Sequence, residues 1–229
     1  MSKRRLRWIC AIMLAIVTGA VSTLGAVVKH EPNFYRQSQV PASEARVALA
    51  NEFFNNFLQM IANINSQEKE TWGCDATEAQ LNSFFDEIWV KKGEAEGLRE
   101  LGMSSPSVVL ENDHVRLAFR YGSGWFSTVI SYDLKIWLVP KEPNVIAVEI
   151  QSARAGALPI SNRTILNQLT DFARKQNFKV NLFRHEGNTV AVIDLQGDQP
   201  RPKAVLTALE IQPNRLIIRG KTLEHAWRN

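Results

Sequence analysis

The chain lacks almost every residue set on which a recognisable reaction is built. Its two cysteines are Cys10 and Cys74, and Cys10 lies inside an apolar run. The rest therefore has no pair for an intramolecular disulfide and too few thiols for a structural zinc site. Cys74 is expected as a small buried hydrophobe. The histidines, His30, His114, His185 and His225, are isolated from one another. No HExxH, C-x-x-C, G-x-S-x-G or phosphate-loop pattern occurs. Gly122-Ser123-Gly124-Trp125 reads as a turn, because no basic residue and helix follow as a phosphate cradle requires. Acids are missing from residues 1–30, which carry Lys3, Arg4, Arg5, Arg7 and Lys29. Taking those five from 27 bases leaves 22 against 23 acids, so residues 31–229 sit near −1. The basic excess belongs to the N-terminus, and no nucleic-acid partner is indicated. There is no internal repeat and no low-complexity tract, and 45% hydrophobic content over 229 residues describes a globular chain.

What is present begins with Ile9 to Val28, a run of 20 residues without a charge. As a helix it would span about 30 Å, the thickness of a bilayer's hydrocarbon core. Four bases precede it, and Trp8 stands at its boundary. The positive-inside rule then places the N-terminus in the cytoplasm and the remainder outside. A cleaved signal peptide is the rival, with Thr18-Gly19-Ala20 or Leu24-Gly25-Ala26 as poor cleavage sites. The full spanning length favours an uncleaved signal-anchor, and both readings export the domain. The expected division is a cytoplasmic tip and anchor over 1–28, a juxtamembrane linker over 29–42, and an extracytoplasmic domain over 43–229.

Periodicity divides the domain further. Ser43 to Ile64 predicts an amphipathic helix capped by Ser43, with Val47, Phe54, Leu58 and Ile61 on one stripe, widened by Leu49, Phe53, Phe57 and Ile64. Ala76 to Val90 predicts a second helix, opened by the overlapping capping boxes Asp75-x-x-Glu78 and Thr77-x-x-Gln80. After Pro106 the period becomes two. Val115, Leu117, Phe119 and Tyr121 alternate with polar residues. Phe126 to Val139 and Val145 to Ala155 are long strands, with Ile130, Tyr132, Leu134 and Ile136 on one face. Ile160 to Asn177 predicts a third helix. Phe178–Phe183 with Thr189–Leu195, and Ala204–Ile211 with Arg215–Arg219, read as hairpins, with Pro200 and Pro202 in a loop between them. This order predicts an α+β fold: an N-terminal transmembrane helix, then a curved antiparallel sheet packed with amphipathic helices.

Three constellations invite a functional reading. His114, Arg116 and Arg120 share one side of a strand and could face an anionic headgroup, although a solvated sheet face explains them as well. Asp86-Glu87 with Asp75 and Glu78 could serve as paired carboxylates, although capping and surface charge suffice. Phe53, Phe57, Phe84 and Trp89 on the helices, with Ile130 and Leu134 on the sheet, are the expected lining of an apolar ligand groove; core packing is the plainer account.

Ala76-Thr77-Glu78-Ala79-Gln80-Leu81-Asn82 resembles the threonine/serine–acid–x–x–leucine–asparagine helix start of the bacterial YpmS-like proteins. Val148 to Ile160, ending Ala155-Gly156-Ala157-Leu158-Pro159-Ile160, is similar to their passage of strand, glycine, leucine-proline and helix. A similar passage occurs in LmeA-like proteins of the tubular lipid-binding superfamily. The resemblance implies a single-pass envelope protein with an exported α+β domain, no catalytic residues to carry over, and contact with lipid. The expectation is thus a non-enzymatic domain without cofactor or metal, binding lipid or another apolar ligand at the membrane surface. The alternative is an envelope assembly protein that docks a protein partner, and a weaker one is a hydrolase with a scattered site.

Overall fold

The computed structural model describes residues 23, 25–66, 70–91, 100, 102–161, 170, 179–185, 187–195 and 204–223. The helices are α1 (Asn33–Gln37), α2 (Glu44–Ser66) and α3 (Glu78–Phe84), which passes into a π-helical turn over Phe85–Val90. The strands are β1 (Thr71–Thr77), β2 (Met103–Glu111), β3 (His114–Tyr121), β4 (Thr128–Leu138), β5 (Val145–Ala155), β6 (Leu158–Pro159), β7 (Lys179–His185), β8 (Asn188–Asp194), β9 (Ala204–Gln212) and β10 (Arg215–Thr222). The fold is α+β, with a large antiparallel sheet and few helices. That sheet runs β2-β3-β4-β5-β8-β7, with β6 paired to β5. A smaller antiparallel sheet runs β1-β10-β9.

The alternating apolar residues bury one face of the large sheet. Val115, Leu117 and Phe119 lie opposite Leu134, Tyr132 and Ile130. Phe119, Ile130 and Tyr132 pack with Met103, Ile150 and Ala153. Farther along, Val108, Leu110 and Val115 meet Ala76 and Ile211 of the small sheet and Leu81 of α3. The small sheet and the helices thus cover this face as a second layer. Asn144, at a φ of 60°, joins the two sheets: its side chain donates to the Ala204 carbonyl and accepts from the Leu206 amide, each at 2.8 Å.

Several elements depart from expectation. β1 has no counterpart in the sequence prediction. It buries Trp72, Cys74 and Ala76 alternately, but Gly73 and Asp75 interrupt the apolar signal and its partner β10 lies far along the chain. Asp75 is therefore a strand residue, and only the second capping box forms. Thr77 Oγ1 accepts from the Gln80 amide at 3.2 Å while Gln80 Oε1 accepts from the Thr77 amide at 2.8 Å. β2 begins at Met103, before Pro106. The proline is accommodated because β2 is an edge strand and its register shifts between Ser104 and Ser107. On α2, Ser43 caps as expected. The buried side, however, is Ala50 and Met60 flanked by Phe53 and Ile64, while Val47, Leu58 and Ile61 are 43%, 47% and 38% exposed. The third helix and the Pro200–Pro202 loop lie outside the described residues.

The anchor run lies largely outside them too. Ile9 is not described, and Val28 ends a helical stretch over residues 25–28. Among the described residues no helix is long and apolar enough to cross a membrane. Residues 29–42, expected as a linker, lie against the outer face of the large sheet. Tyr35 is fully buried between Ala118 and Val129, and its hydroxyl donates to the Ser105 carbonyl at 3.0 Å. The Ser38 and Ser107 hydroxyls bond at 2.5 Å, and Arg120 donates to Glu31 at 2.6 Å. This cover buries the first half of β4 on both faces.

Candidate functional site

Of the six residues expected to line an apolar groove, the four helix aromatics form one packed row, with Phe57 at its exposed end, while Ile130 and Leu134 pack in the core of the sheet. Phe53 meets Phe84 edge-on at 5.1 Å between ring centroids and Phe57 at 6.2 Å; Phe85 continues the row to Trp89 at 5.4 Å. Each such contact stabilises by about 0.5–1.5 kcal/mol, which accounts for the dense aromatics without a ligand. Ile130 belongs to one core cluster, and Leu134 packs against both. None of the six lines the clefts of this structure described below.

The carboxylates are likewise engaged. Arg46 bonds Glu87 and Asp86 and also donates to the Val40 carbonyl, tying α2 to the π-helical turn. Lys91 and Arg46 hold Glu87 below the usual carboxylate range, whereas burial pushes Asp86 up. Glu78 accepts from the Leu110 amide at 2.9 Å. Asp75 bridges Arg215 and Arg219. Among the described residues no three histidine, cysteine or acidic side chains gather as metal ligands. Cys74 is buried beside Met60 and Trp72, and burial pushes its thiol up.

The outer face of the large sheet holds the site. Register across β3, β4 and β5 sets Arg116 beside Asp133 and Ser152, and Ala118 beside Ser131 and Arg154. Over these two rows the N-terminal segment lays His30, Pro32 and Phe34. Between them opens a cleft of about 300 Å³, closed at its end by Gly156 and Ala157. Of the expected cationic row, His114 turns to Asn112 and Gln151, and Arg120 is taken by Glu31. Arg116 reaches the cleft, with its guanidinium paired to Glu111 at 3.2 Å and 5.7 Å from the Phe34 ring.

Arg154 is different: among the described residues it has no ion-pair partner. Asp133 Oδ1 is buried with no hydrogen-bond partner among those residues. Leaving such an oxygen unmet costs about 1–3 kcal/mol, more for a charge, so it invites a donor from outside the chain. A cleft of about 520 Å³ along β1 and β10 contains Asp75 and Arg219, which neutralise each other, and one of equal volume lies between Phe34, Glu111 and Pro213.

The place of the cleft follows from how Val27 and Val28 are gripped. Thr128 Oγ1 donates to the Val28 carbonyl at 2.6 Å, and the Ala157 amide donates to that of Val27 at 2.9 Å. Gly156 sits at a φ of +60°, pressed so close to these carbonyls that no Cβ would fit. Lys29 Nζ lies 3.4 Å from the centroid of the Trp125 ring, which is 79% exposed.

Sequence reasoning found Arg116 but missed Asp133, Ser131, Ser152 and Arg154. Their alternation on two strands was visible, yet only the pairing of β3, β4 and β5 gathers them. Nothing in the sequence signalled His30, which owes its place to the docking of residues 29–38. None of the protein families, curated proteins or solved structures compared with the chain matches it.

Proposed function

We propose that this chain is a single-pass membrane protein whose extracytoplasmic, non-enzymatic domain binds the headgroup of a phospholipid at the membrane surface. Ile9–Val28 is the anchor in this reading, and the observation that carries it is the position of the cleft. A half-open pocket with an unpaired arginine lies where the apolar run ends and the folded chain begins. A phosphate at the bilayer surface would meet Arg154 and the hydroxyls of Ser131 and Ser152, and charge-assisted bonds to phosphate are the strong ones. The acyl chains would stay in the bilayer, which agrees with a domain core that is filled by its own side chains.

The test is a titration of the purified full chain, in an uncharged detergent, with short-chain phosphatidylglycerol, phosphatidylcholine and phosphatidylethanolamine in turn. Saturable binding is expected, weakened roughly tenfold by Arg154→Gln, the worth of one charge-assisted bond. Binding that is absent, or indifferent to Arg154→Gln, would sink the proposal.

A second reading rests on α2. The exposed row of Val47, Phe57, Leu58 and Ile61 suits a protein that docks an envelope partner. Crosslinking from position 58 in native membranes would detect that partner, and a product that survives substitution of all four residues would count against it.

A further inference from the structure

The cleft holds a buried carboxylate oxygen, Asp133 Oδ1, that lacks a donor among the described residues, and beside it an exposed arginine, Arg154, that lacks an ion pair there. A simple anion could pair with the arginine but brings no donor, so the Asp133 oxygen would stay unmet. A ligand bearing phosphate and a primary ammonium satisfies both. On the sheet, Asp133 and Arg154 are diagonal neighbours across β4 and β5, because Asp133 pairs with Ser152 and Arg154 with Ser131. Diagonal positions stand about 7–8 Å apart, and both side chains can reach inward from there. A phosphate and an ammonium linked by two carbons fit between them.

From this we infer that the site selects an aminophosphate headgroup, that of phosphatidylethanolamine, with Arg154 on the phosphate and Asp133 accepting from the ammonium. The inference rests on the headgroup-binding function proposed above and adds the basis of its selectivity. Ser131 and Ser152 lie beside the two charges and complete the polar floor. Phe34 and Pro32 line the side of the cleft formed by the N-terminal segment. A trimethylated ammonium keeps the charge but has no N–H to donate to Asp133 Oδ1, and that oxygen then stays unmet.

The experiment compares two zwitterionic probes that differ at the nitrogen. Dihexanoyl phosphatidylethanolamine and dihexanoyl phosphatidylcholine are titrated into the full chain in uncharged detergent, with free phosphoethanolamine as a third probe. The ethanolamine lipid is expected to bind roughly tenfold tighter than the choline lipid. Asp133→Asn is expected to abolish that preference, and Arg154→Gln to weaken the binding of both lipids. Equal affinities in the unaltered chain would overturn amine selection and leave headgroup binding standing. Failure of every phospholipid to bind would overturn both. Free phosphoethanolamine binding as tightly as the lipid would support the aminophosphate chemistry and identify a soluble source; weaker binding would support it with the lipid as source. The comparison in the unaltered chain needs no variant to fold.

Discussion

Asp75 accepts hydrogen bonds from Arg219 and Arg215, and the first of these does most to hold its carboxyl below the usual range. A lowered carboxyl stabilises the fold at pH values above that of the unfolded residue, about 3.9, and the contribution is lost as pH falls through the folded value. The three side chains are a third to a half exposed, so solvent screening limits the effect. Asp75→Asn is expected to cost about 0.5–1 kcal/mol at neutral pH and nothing once the pH is well below the folded value, as read from urea unfolding at both. A cost independent of pH would show that the pairs carry no stability. Legibility at this scale was uneven. The Ser43 cap and the Thr77–Gln80 box were readable because a capping residue acts on amides a few positions away. Asp75 offered the same local pattern and was misread, since its partners on β10 are reached only through tertiary pairing. Cys74 took the expected buried place because one isolated thiol has few other uses.

At the scale of elements, the junction between β5 and β6 decides where the N-terminal segment can sit. Gly156 leaves room for the Val27 and Val28 carbonyls only by having no side chain, and its positive φ is one that other residues rarely adopt. Gly156→Ala is expected to destabilise by roughly 1–3 kcal/mol and to lift residues 27–34 from the sheet. Limited proteolysis would reveal this as new cleavage near Lys29; unchanged protection would show that the junction does not hold the segment. Strands β3, β4, β5 and β8 and the β9–β10 hairpin were legible because one face of each is at least partly buried and period two survives in the letters, whereas β7 is almost wholly exposed and was read from its hairpin with β8. β1 was not, being short and interrupted by glycine and aspartate. The side of α2 that faces the core was read wrongly, since apolar residues ring much of that helix. The packing of residues 29–38 was hidden as well. Tyr35 and Ser38 are the buried residues there, and one aromatic with one serine makes no period.

For the molecule as a whole, the decisive pairing is Lys29 over Trp125. With Ile9–Val28 in the bilayer, Lys29 stands at its surface, and Trp125 is brought to the interfacial layer where amphipathic rings are favoured. In vesicles with brominated acyl chains, the reconstituted full chain is expected to show quenched tryptophan emission, and Trp125→Phe to remove part of the quenching. An unchanged quench would place that end of the domain away from lipid. The α+β class could be read from the order of periods, but the cleft could not. It needs three strands in register and a docked N-terminal segment, and sequence alone shows neither. The grip on Val27 and Val28 has a further consequence for such an anchored domain. In the proposed reading, with so little chain free between residue 28 and the sheet, the domain would not swivel independently of its anchor, and the cleft would sweep only the lipids bordering that anchor. Its occupancy would then follow the mole fraction of the preferred lipid in that leaflet, and diluting the protein in a fixed membrane would leave it unchanged.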